Sequence, residues 1–305
     1  MSDDGVTGMG AKAAGANADR RLMLVHAHPD DETIFTGATM ARYAAEGAHV
    51  TLVTCTAGEE GEILTPDIAH LAAEHQDELG PHRVEELAAA MRALGVSDHR
   101  YLGGAFRYRD SGMQWGPDGH AMPRDTTRDD TFWRADLTEA ADAVVAVIRE
   151  IRPQVLITYD EFGGYGHPDH IQAHRVATYG AVLAGVASYR HDLGEAWDVP
   201  KVYWAAASRR RMVESGMWDE DRLPRFAVDD ADLAAVIDGS AWLDQKIAAL
   251  RAHASQIAHD GPFFAGDAAK WSHEFFRLAK GTAMPEPGEA WETDLFAGLS
   301  ASPQE

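Results

Sequence analysis

Leu22-Met23-Leu24-Val25-His26-Ala27-His28-Pro29-Asp30-Asp31-Glu32 is the stretch from which the fold is read. Four consecutive apolar residues suit a strand covered on both faces. Pro29, which has no N–H for a strand ladder, stops it. Over residues 33–46 the apolar positions Ile34, Met40, Ala41, Ala44 and Ala45 suit a helix, with Gly47 at its C-terminal end. A second apolar and β-branched run covers residues 50–56. Strand, helix, strand in this order predicts a right-handed βαβ unit with parallel strands.

The alternation continues outward. Residues 66–80 and 81–95, each bracketed by Pro and Gly, read as helices, and 99–102 as a short strand. Further helices are expected over 135–151, 169–183 and 241–257, with strands over 154–159 and 201–207. Residues 103–130 show no period, and a loop that long in a compact domain is functional or disordered. The expected fold is α/β: a Rossmann-like, mostly parallel sheet with helices on both faces, plus a smaller C-terminal lobe. Residues 1–19 read as a disordered tail and 20–189 as the α/β catalytic core carrying both metal-binding loops. Residues 190–305 read as the smaller lobe that completes the fold and the substrate pocket.

Composition narrows the function. The chain has 305 residues, with 27 Lys+Arg against 49 Asp+Glu, a net charge of −22. Such an excess disfavours nucleic acid and anionic membranes, which select for clustered Lys and Arg. The longest uncharged stretch, 176–189, is shorter than the ~20 apolar residues of a membrane span. The N-terminus carries no basic-then-apolar leader, so the expected location is cytoplasmic. A single cysteine excludes a disulfide framework and a Cys-rich zinc site, whereas 15 histidines are present. Any metal site must therefore use imidazole and carboxylate.

Two segments carry that chemistry. His26-Ala27-His28-Pro29-Asp30-Asp31-Glu32 follows the first strand, and Gly163-Gly164-Tyr165-Gly166-His167-Pro168-Asp169-His170 follows the strand ending near Tyr159. Ligands of open parallel sheets bind beyond the carboxyl ends of the strands, so the two loops can meet in space. Two imidazoles and one carboxylate around Zn²⁺ leave a position for water, whose pKa falls from ~15.7 towards ~7. Asp30 and Asp31 supply one ligand and one base; spacing does not say which is which. Each segment alone could instead be a turn whose aspartate caps the next helix. Capping does not account for the repeated histidines.

These elements resemble the LmbE-like (PIG-L) zinc-dependent N-acetylglucosamine deacetylases, whose paired signature is HPDDE and HPDH. The likeness extends to the mycothiol-pathway branch through residues 58–62, Arg83, residues 102–104, residues 109–113 and residues 291–295. The mycothiol S-conjugate amidases are the neighbouring branch, with proline in place of Gly166 and arginine in place of Glu60. The resemblance implies deacetylation of N-acetylglucosaminyl-inositol, a small neutral sugar-inositol substrate. It implies one Zn²⁺ per subunit, with Fe²⁺ as the alternative ion, on His28, Asp31 and His170. Asp30 would be the base and His167 an imidazolium that stabilises the oxyanion or protonates the amine, with Asp169 hydrogen-bonded behind it. Tyr165 would polarise the carbonyl, and Arg83 and Asp110 would hold sugar and inositol hydroxyls.

The other candidates read as structural. His26 on the strand suits a satisfied core group, and Cys55 a small buried hydrophobe. His174 stands four residues after His170 without the zincin glutamate. His70, His75 and His82 read as solvated, and His253 as structural. The competing functions are the S-conjugate amidase and, in a different class, a non-catalytic metal-dependent sugar-binding module. A 2-His-1-carboxylate oxygenase shares the ligand set but usually sits on an all-β jelly roll.

Overall fold

The computed structural model describes residues 17–125, 128–215, 219–220, 223–261, 263–264 and 268–299. Most of the expected tail, 1–19, lies outside them. In chain order the elements are β1 (Arg21–His26), α1 (Asp31–Ala45), β2 (His49–Thr54), α2 (Leu79–Leu94) and β3 (Asp98–Tyr101). A two-stranded hairpin follows, β4 (Gln114–Trp115) and β5 (Ala121–Met122), then α3 (Leu137–Ile151) and β6 (Val155–Thr158). Next come the single turn α4 (Gly163–Gly166), α5 (Pro168–Ala184), β7 (Lys201–Ser208), α6 (Arg209–Glu214) and β8 (Ala227–Val228). The chain closes with β9 (Ala235–Asp238), α7 (Leu243–Ala252) and β10 (His273–Lys280).

The main sheet runs β3-β2-β1-β6-β7-β10-β9, with β8 beside the end of β7. Strands β3, β2, β1, β6 and β7 are parallel, and β10 is antiparallel to both β7 and β9. Within β1, Leu22 and Leu24 pack with α1 and α2 residues such as Met40 and Leu87. Met23 and Val25 point the other way, towards Val144 of α3 and Val176 of α5. Burial on both faces explains the unbroken apolar run. The chain leaves β1 for β2 on one side and later returns to β6 on the other. The loops after β1 and β6 therefore flank the topological switch point.

Three expectations need correction. The helix expected over 66–80 is only a 3-10 turn at Pro66–Leu71, and α2 begins at Leu79. Residues 103–130 hold the β4–β5 hairpin. The segment 190–305 contributes β7, β10 and β9 to the same sheet, with Val155 of β6 in register with Lys201 of β7. Hydrogen bonds thus cross the lobe boundary placed at 190. The weak period of that segment reflects its antiparallel edge, where half-buried strands mix polar and apolar residues. Among the described residues no helix is long and apolar enough to cross a membrane.

Candidate metal centre and active site

The first loop begins where β1 ends. Pro29 breaks the ladder and Asp30 turns the chain into α1 with φ 127° and ψ −35°. An L residue in such a sparsely populated region costs about 1–3 kcal/mol and persists only where its surroundings hold it. Three contacts do so here. The backbone N–H of Asp30 donates to Glu32 Oε2 at 2.9 Å, and the Asp30 carbonyl accepts from Thr33 and Ile34. Arg83 of α2 places Nη2 3.2 Å from Asp30 Oδ2, and it also donates to the carbonyls of Pro29 and Gly58. Neither Asp30 nor Asp31 caps α1 with its side chain. That removes the capping explanation of the first motif.

The second loop needs its glycines. A Cβ on Gly163 (φ +66°) would lie 2.7 Å from Cβ of His170, and one on Gly166 (φ +98°) would lie 2.5 Å from the Ala121 carbonyl. Their absence lets the loop fold back on α5 and under the β4–β5 hairpin. His167, not Asp169, caps α5: its Nδ1 accepts the Asp169 backbone N–H at 3.1 Å.

The loops meet at three imidazoles. Nitrogens of His28, His167 and His170 lie within 4.8 Å of one another, and all three residues are buried. Asp31 spans two of them, with Oδ2 3.2 Å from His28 Nδ1 and Oδ1 3.2 Å from His170 Nε2. Among the described residues Nδ1 of His170 has no partner and Nε2 has none beyond the Asp31 oxygen, although both are buried. A buried imidazole without such partners, beside a carboxylate oxygen, has the chemistry of a metal ligand. The opposite nitrogen of His28, Nε2, lies 3.3 Å from Asp169 Oδ2 and 3.5 Å from Asp110 Oδ1. That is the outer carboxylate that orients a ligating histidine. Four carboxylates, Asp30, Asp31, Asp110 and Asp169, stand here, and among the described residues Arg83 pairs with Asp30. The donor set and its charge fit a divalent cation.

Electrostatics separate the two adjacent aspartates. Burial alone would raise the Asp31 carboxyl, but His170 and then His28 pull it well below the usual carboxylate range. Burial pushes Asp30 up to about 6 against the pull of Arg83. The Asp30 side chain is 16% exposed, against 7% for Asp31. Asp31 is therefore the enclosed anion between the imidazoles, and Asp30 the one that water reaches.

Several assigned roles shift. The Asp169 carboxylate sits on His28 and on Ser111, whose N–H and Oγ donate at 2.8 and 2.5 Å, instead of behind His167. His167 was expected as an imidazolium. Its Nδ1 already accepts an N–H, and burial beside His28 and His170 pushes its pKa well below the ordinary value. Both observations oppose the imidazolium that the resemblance implies. Arg83 is only 2% exposed and is engaged with Asp30 and two carbonyls. Asp110 is 3% exposed and accepts from the N–H groups of Gly112 and Glu60 at 2.8 and 3.2 Å. Both hold loops of the site together. Half-buried Tyr165 sets its ring 5.0 Å from that of His170, beneath exposed Trp115 at 6.3 Å.

Most of the set-aside residues fall as expected. His26 Nε2 lies 3.1 Å from Thr36 Oγ1, though its Nδ1 is buried without a partner among the described residues; His174 turns to the Tyr159 carbonyl, and Cys55 is a free buried thiol. His70 and His75 are exposed, but His82 is half-buried, 3.4 Å from Glu86. His253, read as structural, is fully buried against Glu32. Sequence reading also missed Ser111 and Glu59, which accepts the Asp110 N–H at 3.0 Å. Both stand in segments that carried the resemblance, but neither has a spacing of its own that signals a role.

The family model for PIG-L, described as GlcNAc-PI de-N-acetylase, matches residues 23–180, which include both loops. The chain belongs to the PIG-L family. It is 60% identical over 300 residues to a 1D-myo-inositol 2-acetamido-2-deoxy-alpha-D-glucopyranoside deacetylase of a Nocardioides species, covering 92% of this chain and 99% of that protein. A protein of the same name from Kribbella flavida is 58% identical, covering 92% and 98%. Among solved structures, N,N'-diacetylchitobiose deacetylase from Pyrococcus horikoshii aligns with a TM-score of 0.58 at 17% identity, over 88% of this chain and 86% of that one. The 4-carboxy-2-hydroxymuconate hydratase of Pseudomonas putida aligns at 0.56 and 16%, over 87% and 98%. A hydratase and a deacetylase on one backbone mean that the fold alone does not choose the reaction.

Proposed function

We propose that this protein is a metal-dependent amide hydrolase acting on 1-O-(2-acetamido-2-deoxy-glucopyranosyl)-myo-inositol. It releases acetate and the glucosaminyl-inositol of mycothiol biosynthesis. The observation that carries the reading is the partly exposed carboxylate of Asp30 beside a buried His28–Asp31–His170 set. The near-full-length relatives named for this reaction support the substrate. We assign one Zn²⁺ per subunit, with Fe²⁺ as the alternative ion, to His28, Asp31 and His170. We assign the cytoplasm as its place of work, with a small neutral substrate and no nucleic-acid or membrane partner.

When bound, the cation supplies a Lewis acid that lowers the pKa of water and draws charge from the amide carbonyl. The residues do the rest. Asp30 accepts a proton from the attacking water as its oxygen bonds to the acetyl carbon. Nε2–H of His167 and the Tyr165 hydroxyl donate to the oxygen that gains negative charge. The proton held by Asp30 passes to the nitrogen as the carbon–nitrogen bond breaks, which leaves acetic acid and the amine; the acid then gives its proton to the amine, so the products are acetate and the ammonium form. Arg83 keeps Asp30 facing the reacting centre, and Asp169 keeps the His28 ring turned. We assign Arg83 and Asp110 to holding together the loops that would face the sugar and inositol hydroxyls.

The decisive assay offers purified protein N-acetylglucosaminyl-inositol and a mycothiol S-conjugate in parallel, with and without chelator. Faster turnover of the acetylated sugar, lost with chelator and restored by Zn²⁺ or Fe²⁺, is the expected result. Dominant cleavage of the conjugate transfers the protein to the amidase branch. Binding without turnover makes it a sugar-binding module, and chelator-insensitive turnover removes the mechanism.

A further inference from the structure

Beside the catalytic loop, His253 is a buried, ionisable residue to which the proposed mechanism gives no task. His253 follows α7, is fully buried, and lies 221 positions beyond Glu32 in the chain. Its Nε2 is 2.9 Å from Glu32 Oε1, and Glu32 is itself fully buried. The other oxygen of Glu32 accepts the backbone N–H of Asp30 at 2.9 Å. Thr33 Oγ1 donates to Oε1 as well, so each carboxylate oxygen of Glu32 has a partner. Three groups thus act in series: an imidazole, a carboxylate and the backbone of a residue held at φ 127°.

The turn that carries the imidazole is held from behind, while Nδ1 of the ring is buried without a hydrogen-bond partner among the described residues. Ser255 donates its N–H and Oγ to Glu86 at 2.8 and 2.6 Å, and the N–H groups of Gln256 and Ile257 close a turn on the His253 carbonyl. Glu86 lies on α2, one turn beyond Arg83, whose guanidinium sits on the Asp30 carboxylate. One helix therefore clamps the Asp30 side chain directly and its backbone through the 253–257 turn. A fully buried carboxylate needs a charged or hydrogen-bonded partner, and a hydrophobic residue at 253 would leave Glu32 free to turn from the Asp30 N–H.

We propose that His253, acting through Glu32, is a positioning residue that holds the backbone of Asp30 in the conformation that aims its carboxylate at the attacking water. The inference rests on the deacetylase reading above. It predicts a defect in the chemical step, with metal and substrate binding preserved, because the chain of contacts ends on the base and on neither a ligand nor the sugar site.

The test compares kcat, KM and metal content of wild type, His253→Leu, His253→Asn and His253→Gln on N-acetylglucosaminyl-inositol. The Gln amide reaches the Nε2 position and donates to Glu32; the Asn amide is too short. His253→Leu and His253→Asn are expected to lose 10- to 100-fold in kcat, with KM within twofold and one metal retained per chain. His253→Gln is expected to recover most of the rate. If His253→Leu does not fold, the Asn and Gln variants decide alone. An unchanged kcat in His253→Asn, a loss carried by KM or metal content, or a Gln variant no faster than Asn overturns the proposal. Failure of wild type to turn over this substrate counts against the deacetylase reading instead, whatever the variants do.

Discussion

The carboxylate of Asp169 lies 3.3 Å from Nε2 of His28, although 141 positions separate the two in the chain. It accepts from Ser111 twice and is fully buried, so it is a fixed acceptor that turns the other nitrogen of His28 towards Asp31. Replacing Asp169 by Asn removes the charge behind a ligand. Metal affinity is expected to fall about 10- to 100-fold. Competition with a chelating dye measures it, and an unchanged affinity contradicts the outer-carboxylate role.

Asp30 and Asp31 are neighbours to which opposite duties are proposed. Asp30→Ala is expected to lower kcat by ~10²–10⁴-fold, the range for general-base loss, while metal content stays near wild type. His28→Ala is expected to lose the metal. Elemental analysis of both variants beside their rates separates the roles. Equal metal loss in the two would mean that ligand and base are exchanged.

Arg83 is expected to set the pH at which Asp30, the proposed base, works. Burial raises the Asp30 carboxyl to about 6, and the Arg83 charge opposes that rise. The base must be ionised, so activity falls as pH drops through the Asp30 pKa. Arg83→Met removes the opposing charge, so the acid limb of kcat/KM is expected to move to higher pH. For stability the sign is as follows: a carboxyl raised on folding contributes below its unfolded pKa of about 4 and loses that contribution as pH rises through about 6. A limb that stays put or moves down in Arg83→Met refutes the coupling.

Tyr165 faces His170 across 5.0 Å of ring separation and is half-buried at the mouth of the site. Tyr165→Phe keeps the ring and removes the hydroxyl. A loss of ~10²–10³ in kcat is expected if the hydroxyl supports the oxyanion. A rise in KM alone would place it on the substrate ground state.

Gly166 carries the fold of the second loop. At φ +98° and with the Ala121 carbonyl 2.5 Å from a Cβ position, Gly166→Ala meets both backbone strain and a clash. A destabilisation of about 1–3 kcal/mol is expected, read as a lower thermal midpoint. A drop in kcat should accompany it, because Tyr165 and His167 flank the glycine. A fully stable, fully active Gly166→Ala variant would show that the hairpin yields easily.

Much of this was legible in residues 22–32 alone. An apolar run ending in proline, then a helix period, specifies a central parallel strand with a loop at its carboxyl end, since burial on both faces tolerates no polar alternation. The repeated His-Pro-Asp pattern named the metal-binding residue types. The helix expected over 66–80 failed because Pro and Gly brackets also suit a 3-10 turn followed by open loop. The 103–130 segment gave no period because its pairing, Gln114 with Met122 and Trp115 with Ala121, spans only two residues on each strand.

Sequence by itself determined the α/β class, the family and the residue types of the candidate metal centre. Those follow from local patterns: apolar periodicity, proline stops and short motifs. Only the tertiary structure decided the contacts within the site. It put Asp169 on His28, set His167 Nδ1 beneath a backbone N–H, turned Arg83 inward onto Asp30, and brought His253 to Glu32. Each is a contact between residues made adjacent by packing or by a turn. A hydrogen bond depends on positions within a few tenths of an ångström, which spacing along a chain does not encode.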